Sequence, residues 1–169
     1  MPLLPKFQKF LDENKAKYEV LAHKKVFTTY DTAQTLHVDL KSVAKTLFVK
    51  TDSDYVFVIL PGTKRFDQTK LKNLINDTRK KEAKKTGTKP KLVKKVELTK
   101  ETAIKKMVTK KVGALVPFGH LYDLQTFYDK GLDNAKKLIL NAGSFTDSVV
   151  MTPKEYLRLE KAVAGRFSK

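Results

Sequence analysis

The stretch TLFVKTDSDYVFVILPG, residues 46–62, constrains the fold more than any other part of the chain. It holds two apolar runs, Thr46 to Val49 and Tyr55 to Pro61, separated by the polar cluster Asp52-Ser53-Asp54. Two such runs joined by a tight polar turn predict an antiparallel hairpin. The second run is apolar almost without interruption. A strand of that kind needs cover on both faces. The hairpin is therefore expected at the centre of a domain, with other elements packed on each side.

The flanking sequence supplies those elements. Phe7, Phe10 and Leu11 at helical spacing predict an amphipathic helix over 5–17. KYEVLAH, 17–23, reads as a strand ending at His23. Thr28-Thr29-Tyr30-Asp31 can cap a helix that runs through Ala33 and Leu36, and Asp67 can cap one through Leu71, Leu74 and Ile75. From about 77 to 95 apolar residues are few, and a Gly and a Pro interrupt; an exposed loop or β-ribbon excursion is expected. Thr99 reads as the N-cap of a helix whose apolar face is Ala103, Ile104, Met107 and Val108. Residues 121–129 suit a short helix or strand, and 136–143 and 145–151 suit strands. Thr152-Pro153 opens a last helix through Leu157. The mixture defines an α+β (mixed α/β) class, and 169 residues suit one domain.

Charge narrows the partners. The net charge is +17. Between Arg79 and Lys111 there are 14 Lys or Arg against 3 Glu. A polyanion is the expected partner, with a lysine-rich solvated surface as the alternative. Lysine outnumbers arginine, which suits backbone phosphate more than bidentate base reading. With no cysteine there is neither a disulfide framework nor a thiol nucleophile. The start, MPLLPKFQKFLDENKAK, is prolyl and charged, unlike a signal peptide, and no apolar run is long enough to span a membrane. A cytoplasmic protein with no membrane partner is expected.

Catalytic constellations are scarce. His23, His37 and His120 lack metal-ligand spacing, so no metal and no cofactor are expected. No nucleophile elbow, P-loop or dinucleotide fingerprint occurs. Two features remain. Lys45 stands among Val43, Ala44, Leu47 and Phe48 at the entrance to the first apolar run. A charge there costs desolvation unless an anion meets it, although local sequence alone favours an ammonium that snorkels to solvent. The second feature is GALVPFG, 113–119, with two glycines and a proline inside an apolar segment. Either it is a turn between core elements, or its main-chain amides approach a ligand.

Taken in order, AHKKVFTTYDTAQTLHVDLKSVAKTLFVK, FVILPGTKRFDQTKLKN, VELTKETAIKKMVTKKVGALVPFG and KKLILNAGSFTD resemble the YbaK/EbsC family of aminoacyl-tRNA deacylases, relatives of the editing domain of bacterial prolyl-tRNA synthetases. The resemblance covers most of residues 15–160. It implies a mixed, partly barrel-like β-sheet surrounded by helices, in a single editing domain over 1–169 with the basic excursion at 77–95, where family members are usually shorter. It implies a trans-acting deacylase that hydrolyses the ester of a mischarged tRNA, here a small amino acid on a proline tRNA. The neighbouring ribose hydroxyl would assist the attacking water. Lys45 matches the family's lysine and Gly113 opens its G-x-x-x-P loop; these are the catalytic candidates. His23 matches the early histidine, and Ala142-Gly143 the late Ala-Gly pair.

The amides of Gly113–Gly119, with Pro117 fixing the loop's shape, would polarise the ester carbonyl. Phe27, Thr28, Leu115, Val116 and Phe118 are candidates to line the amino-acid pocket, with core packing an equal alternative for each. Lys80, Lys81, Lys84, Lys85, Lys94 and Lys95 are candidates to grip tRNA. The expected partners are tRNA and an aminoacyl-tRNA synthetase. The alternative from another class is a non-catalytic tRNA-binding or synthetase-associated module.

Overall fold

The computed structural model describes residues 4–52, 54–108 and 115–169. In chain order the elements are α1 (Pro5–Glu13), β1 (Glu19–Ala22), α2 (Thr29–Leu36), β2 (Ala44–Thr51), β3 (Asp54–Pro61), α3 (Gln68–Thr86), β4 (Val96–Leu98), α4 (Glu101–Met107), β5 (Thr126–Asp129), β6 (Leu138–Asn141), β7 (Asp147–Met151), α5 (Pro153–Leu159) and β8 (Val163–Gly165). Single 3-10 turns occupy 40–42, 119–122 and 130–134.

The hairpin is central, as its sequence requires. A five-stranded sheet runs β4-β2-β3-β5-β8 and a three-stranded antiparallel sheet runs β1-β7-β6. β3, β5 and β8 are parallel to one another, whereas β2 pairs antiparallel with β3 and with β4. A bridge from Val43 to Ile139 joins the two sheets at the start of β2. The free edge of β2 is thus shared by β4 at its end and β6 at its beginning, which curls the strands into a partly barrel-like, mixed α/β fold.

Each face of the hairpin has its own core. Ala44 and Ile59 face Phe7, Leu11, Val116, Phe118, Tyr128, Leu140, Val149 and Tyr156. Val49, Val56, Val58 and Leu60 face Leu71 and Ile75 of α3, with Val93, Phe127 and Phe167. Burial of a large apolar side chain contributes about 1.5–3 kcal/mol on either face. The hydrophobic pattern therefore cannot choose between registers one residue apart. The turn makes that choice: Asp52 adopts φ 55°, and its carboxylate accepts the N–H groups of Lys94 and Lys95, each at 2.9 Å.

Caps appear where the side chains predict them in three helices. Thr28, Asp67 and Thr152 accept the N–H groups of Asp31, Lys70 and Glu155. Thr99 does not cap α4. Lys100 holds the N-cap position without a side-chain bond, and the Thr99 hydroxyl is buried without a partner. In α4 Ile104 is buried but Met107 is exposed, so the expected apolar face is only partly used.

The segment 77–95 is not the expected loop or ribbon. α3 continues to Thr86 and stops at Gly87, left-handed at φ 68°. Lys, Glu and Ala are good helix formers without being core residues. Buried Ala83 gives this half its one inward contact. Residues 88–95 return along the helix as a strap. Asn76 and the Val93 backbone exchange hydrogen bonds of 3.0 and 2.7 Å, and Arg79 donates to the Lys91 carbonyl at 2.9 Å.

Candidate active site

Lys45 leaves β2 beside Leu60, on the face that carries Leu47 and Val58. Its ammonium donates to the Lys64 carbonyl at 2.6 Å, in the 62–67 loop that follows β3. Gly62 lets that loop come in: a Cβ there would sit 2.9 Å from the carbonyls of Leu40 and Val43. Burial first, and then the Arg65 guanidinium, hold the Lys45 pKa below its usual 10.5. Among the described residues no carboxylate pairs with it. Lys64 also borders a hollow of about 210 Å³, with Lys41, Thr63, Gly131 and Asn134; Lys45 itself does not line it.

The described part of the glycine-proline loop packs on the other face of the hairpin. Leu115 joins Phe48, Phe57 and Ile104, while Val116 and Phe118 join Ala44, Ile59 and Ala142. Gly113 lies outside the described residues. The Phe118 N–H bonds the Val116 carbonyl at 2.9 Å, and the Gly119 N–H bonds the Thr126 hydroxyl at 3.0 Å. Pro117 has no N–H, and its carbonyl accepts the Tyr156 hydroxyl at 2.6 Å. Burial, followed by the Glu160 carboxylate, pushes the Tyr156 pKa up, so its hydroxyl stays a donor. The N–H groups of Phe118 and Gly119 are committed to the fold.

The Thr126 hydroxyl that holds the Gly119 N–H is itself held by a carboxylate that no local sequence pattern marks. Glu160, 4% exposed, caps α5 and reaches back to the loop. It accepts the Thr126 hydroxyl at 3.0 Å and meets His120 Nδ1 at 2.9 Å. Phe10 packs edge-on against the His120 ring at 4.4 Å. The pairing spans 40 residues, so no local pattern announces it. Glu160→Ala leaves the buried Thr126 hydroxyl without its acceptor and is expected to cost about 2–3 kcal/mol, against roughly 1 for Glu160→Gln. Urea unfolding of both variants checks this; equal losses would deny the carboxylate its special part.

The remaining candidates form a third group. His23 contacts the Ser148 hydroxyl through Nε2 at 2.9 Å and the Lys24 carbonyl through Nδ1 at 2.8 Å. Phe27 is 56% exposed, its ring 4.9 Å from that of Phe145. Thr28 spends its hydroxyl on the α2 cap. Leu115, Val116 and Phe118 are buried in the core, whereas Phe27 is exposed beside Phe145. Gly143 takes φ 88°, a left-handed conformation that favours glycine, and it packs against the Leu4 side chain. Lys80, Lys81, Lys84, Lys85, Lys94 and Lys95 are all exposed. No cluster of potential metal ligands occurs among the described residues, and no described helix is long and apolar enough to cross a membrane.

The mixed α/β fold, with its two sheets bridged at the start of β2, matches that of editing-domain-like proteins. A sequence model of the aminoacyl-tRNA editing domain matches residues 23–159, and the chain belongs to that family. It is 31% identical over 77 residues to a proline–tRNA ligase of Thermosipho melanesiensis; the match spans 46% of this chain and only 14% of the ligase. Two crystal structures share the fold over nearly their whole lengths. The hypothetical protein APE2540 has a TM-score of 0.80 at 20% identity, covering 97% of this chain and 99% of its own. A protein put forward as a trans-editing enzyme for prolyl-tRNA synthetase has a TM-score of 0.72 at 18% identity, with 99% of each chain covered.

Proposed function

We propose that the chain is a trans-acting deacylase that hydrolyses the ester of a mischarged tRNA, with a small amino acid on a proline tRNA as substrate. The observation that carries this reading is the half-buried Lys45 ammonium, which has a main-chain carbonyl for a partner and no carboxylate among the described residues. Such a charge suits a phosphate or the polar end of an incoming substrate. The family assignment supplies the ester, and the partial match to a proline–tRNA ligase supplies the tRNA.

The chemistry asks little of the protein. Water attacks the ester carbonyl carbon, the bond to the ribose oxygen breaks, and that oxygen leaves with the proton the water gives up. The neighbouring ribose hydroxyl relays that proton. The products are a free amino acid and a tRNA with its terminal hydroxyl restored. With the amides of Phe118 and Gly119 engaged and Pro117 lacking one, oxyanion donors narrow to residues 113–116. Lys45 and the described residues of this loop, Leu115 and Val116, lie on opposite faces of the hairpin, so a substrate that touches both would lie across its end, near Ala44 and Gly62. Selectivity by size separates substrates by about 1–3 kcal/mol per methylene, the margin at which separate editing becomes necessary.

The engaged amides favour a second reading, a tRNA-binding or synthetase-associated module without catalysis. A panel of tRNAs mischarged with alanine, serine or cysteine decides between them. Release of one amino acid at a rate proportional to protein concentration is expected. Tight tRNA binding with no release from any member establishes the second reading.

A further inference from the structure

The longest helix carries charge for which the ester chemistry has no use. From Arg79 to Lys95 there are nine Lys or Arg and one Glu. Lys80, Lys81, Lys84 and Lys85 are exposed and make no ion pair among the described residues. Lys89 and Lys94 of the strap are in the same position, whereas Lys91 and Lys95 stand within 4.0 and 3.3 Å of Asp54 and Glu97. Lys80 with Lys84 and Lys81 with Lys85 repeat at four residues, one above the other on a helix. Like charges so placed oppose the helix that carries them. A polyanion laid along the face relieves that opposition.

We infer that Lys80, Lys81, Lys84 and Lys85, with Lys89 and Lys94, form a preformed surface for the sugar-phosphate backbone of double-helical RNA. Three observations select this partner. First, the cations are lysines, point charges suited to phosphate oxygens rather than to base edges. Second, residues 79–95 contain no Phe, Tyr or Trp. Unpaired bases are held by stacking on aromatic rings, so the face lacks what a single strand needs. Double-stranded RNA is recognised instead through its shape and phosphates.

Third, the backbone that carries the lysines is held in place by hydrogen bonds. The strap is pinned to α3 through Asn76 and Arg79 and to the hairpin turn through Asp52, so the lysines keep their spacing before any ligand arrives. α3 is about 28 Å long, and its basic half projects beyond the Leu71–Ile75 contact with the sheet. That the RNA is a tRNA, met along its acceptor stem, rests on the deacylase reading; the preference for a duplex does not.

The test compares the parent with the quadruple variant K80Q/K81Q/K84Q/K85Q. Binding of an uncharged tRNA, a 12-base-pair RNA duplex and a 12-nucleotide single strand is measured at several salt concentrations. For the parent, the duplex is expected to bind better than the strand. In the variant, tRNA and duplex affinity fall at least tenfold at low salt. The plot of log affinity against log salt flattens by about one unit for each lysine on a phosphate. Circular dichroism checks that α3 remains formed. Unchanged affinity and slope overturn the inference, as does a parent that prefers the single strand, or a variant that loses a synthetase partner while keeping RNA. Hydrolysis of an aminoacyl-adenosine, which has no stem, is expected to proceed equally in both proteins. If the parent hydrolyses no ester yet binds duplex through these lysines, the deacylase reading falls and this inference stands.

Discussion

Lys45→Ala is expected to slow deacylation of the mischarged tRNA by about 10²–10³-fold, the usual loss when one preorganised charge or donor is taken from a developing transition state. The fold should tolerate the change. The ammonium sits in a half-buried place that disfavours its charge, and its one hydrogen bond goes to the exposed Lys64. Linkage sharpens the prediction. The folded-state pKa lies below the ordinary 10.5, so between the two values the unfolded chain holds more protons than the folded one. Stability contributed through Lys45 therefore rises with pH across that window, and the alanine variant loses this rise. Activity runs the opposite way, because the charged form does the work. After subtraction of spontaneous ester hydrolysis, the rate should fall as pH climbs through the lowered pKa. Lys45→Arg keeps its charge there and should move the fall to higher pH, at some loss of rate because a planar fork replaces a compact ammonium. An alanine variant as active as the parent, equally folded, removes Lys45 from the mechanism.

The parts of this fold readable in the sequence are those fixed by neighbours in the chain. The hairpin, the caps at Thr28, Asp67 and Thr152, and strands β6 and β7 each announce themselves within a short contiguous stretch. The extension of α3 is not legible from apolar periodicity, because its second half has almost no apolar residues. A lysine-rich helix needs only propensity, one buried alanine and a strap whose Val93 contact lies 17 residues from Asn76. Strand β8 was hidden for a related reason. Val163–Gly165 has almost no pattern of its own and is a strand because β5 offers it an edge. The site divides in the same way. Lys45 was visible as a charge among apolar neighbours, and its perturbed environment follows from that. Leu115, Val116 and Phe118 carry the apolar character of core residues, and the structure buries all three. Glu160 gave no local sign, since a buried carboxylate is defined by partners 34 and 40 residues away.

Asp129→Ala is expected to cost about 3–5 kcal/mol, because buried donors left without an acceptor cost about 1–3 kcal/mol each. The carboxylate is 1% exposed and accepts four hydrogen bonds: the Gly131 N–H at 3.0 Å, the Phe167 and Ser168 N–H groups at 2.9 and 3.1 Å, and the Ser168 hydroxyl at 2.9 Å. Three of the four come from the last residues of the chain. That tail in turn builds the floor under Lys45. Arg65 and Lys169 exchange backbone bonds of 3.1 and 2.7 Å, and the Asp67 N–H reaches the Phe167 carbonyl at 2.6 Å. The 62–67 loop that offers its Lys64 carbonyl to Lys45 is therefore held by a tail that Asp129 holds. Asp129→Asn keeps one acceptor oxygen but points an amide at a ring of donors, so a loss of about 1–3 kcal/mol is expected there. Urea unfolding of both variants measures the cost. Hydrogen exchange of the 62–67 amides, at a temperature where both variants are folded, tests the connection to Lys45. Faster exchange at those amides, with a matching fall in deacylation, is the expected result. An alanine variant that loses less than about 1 kcal/mol, or exchanges there like the parent, would show the tail and the lysine to be independent.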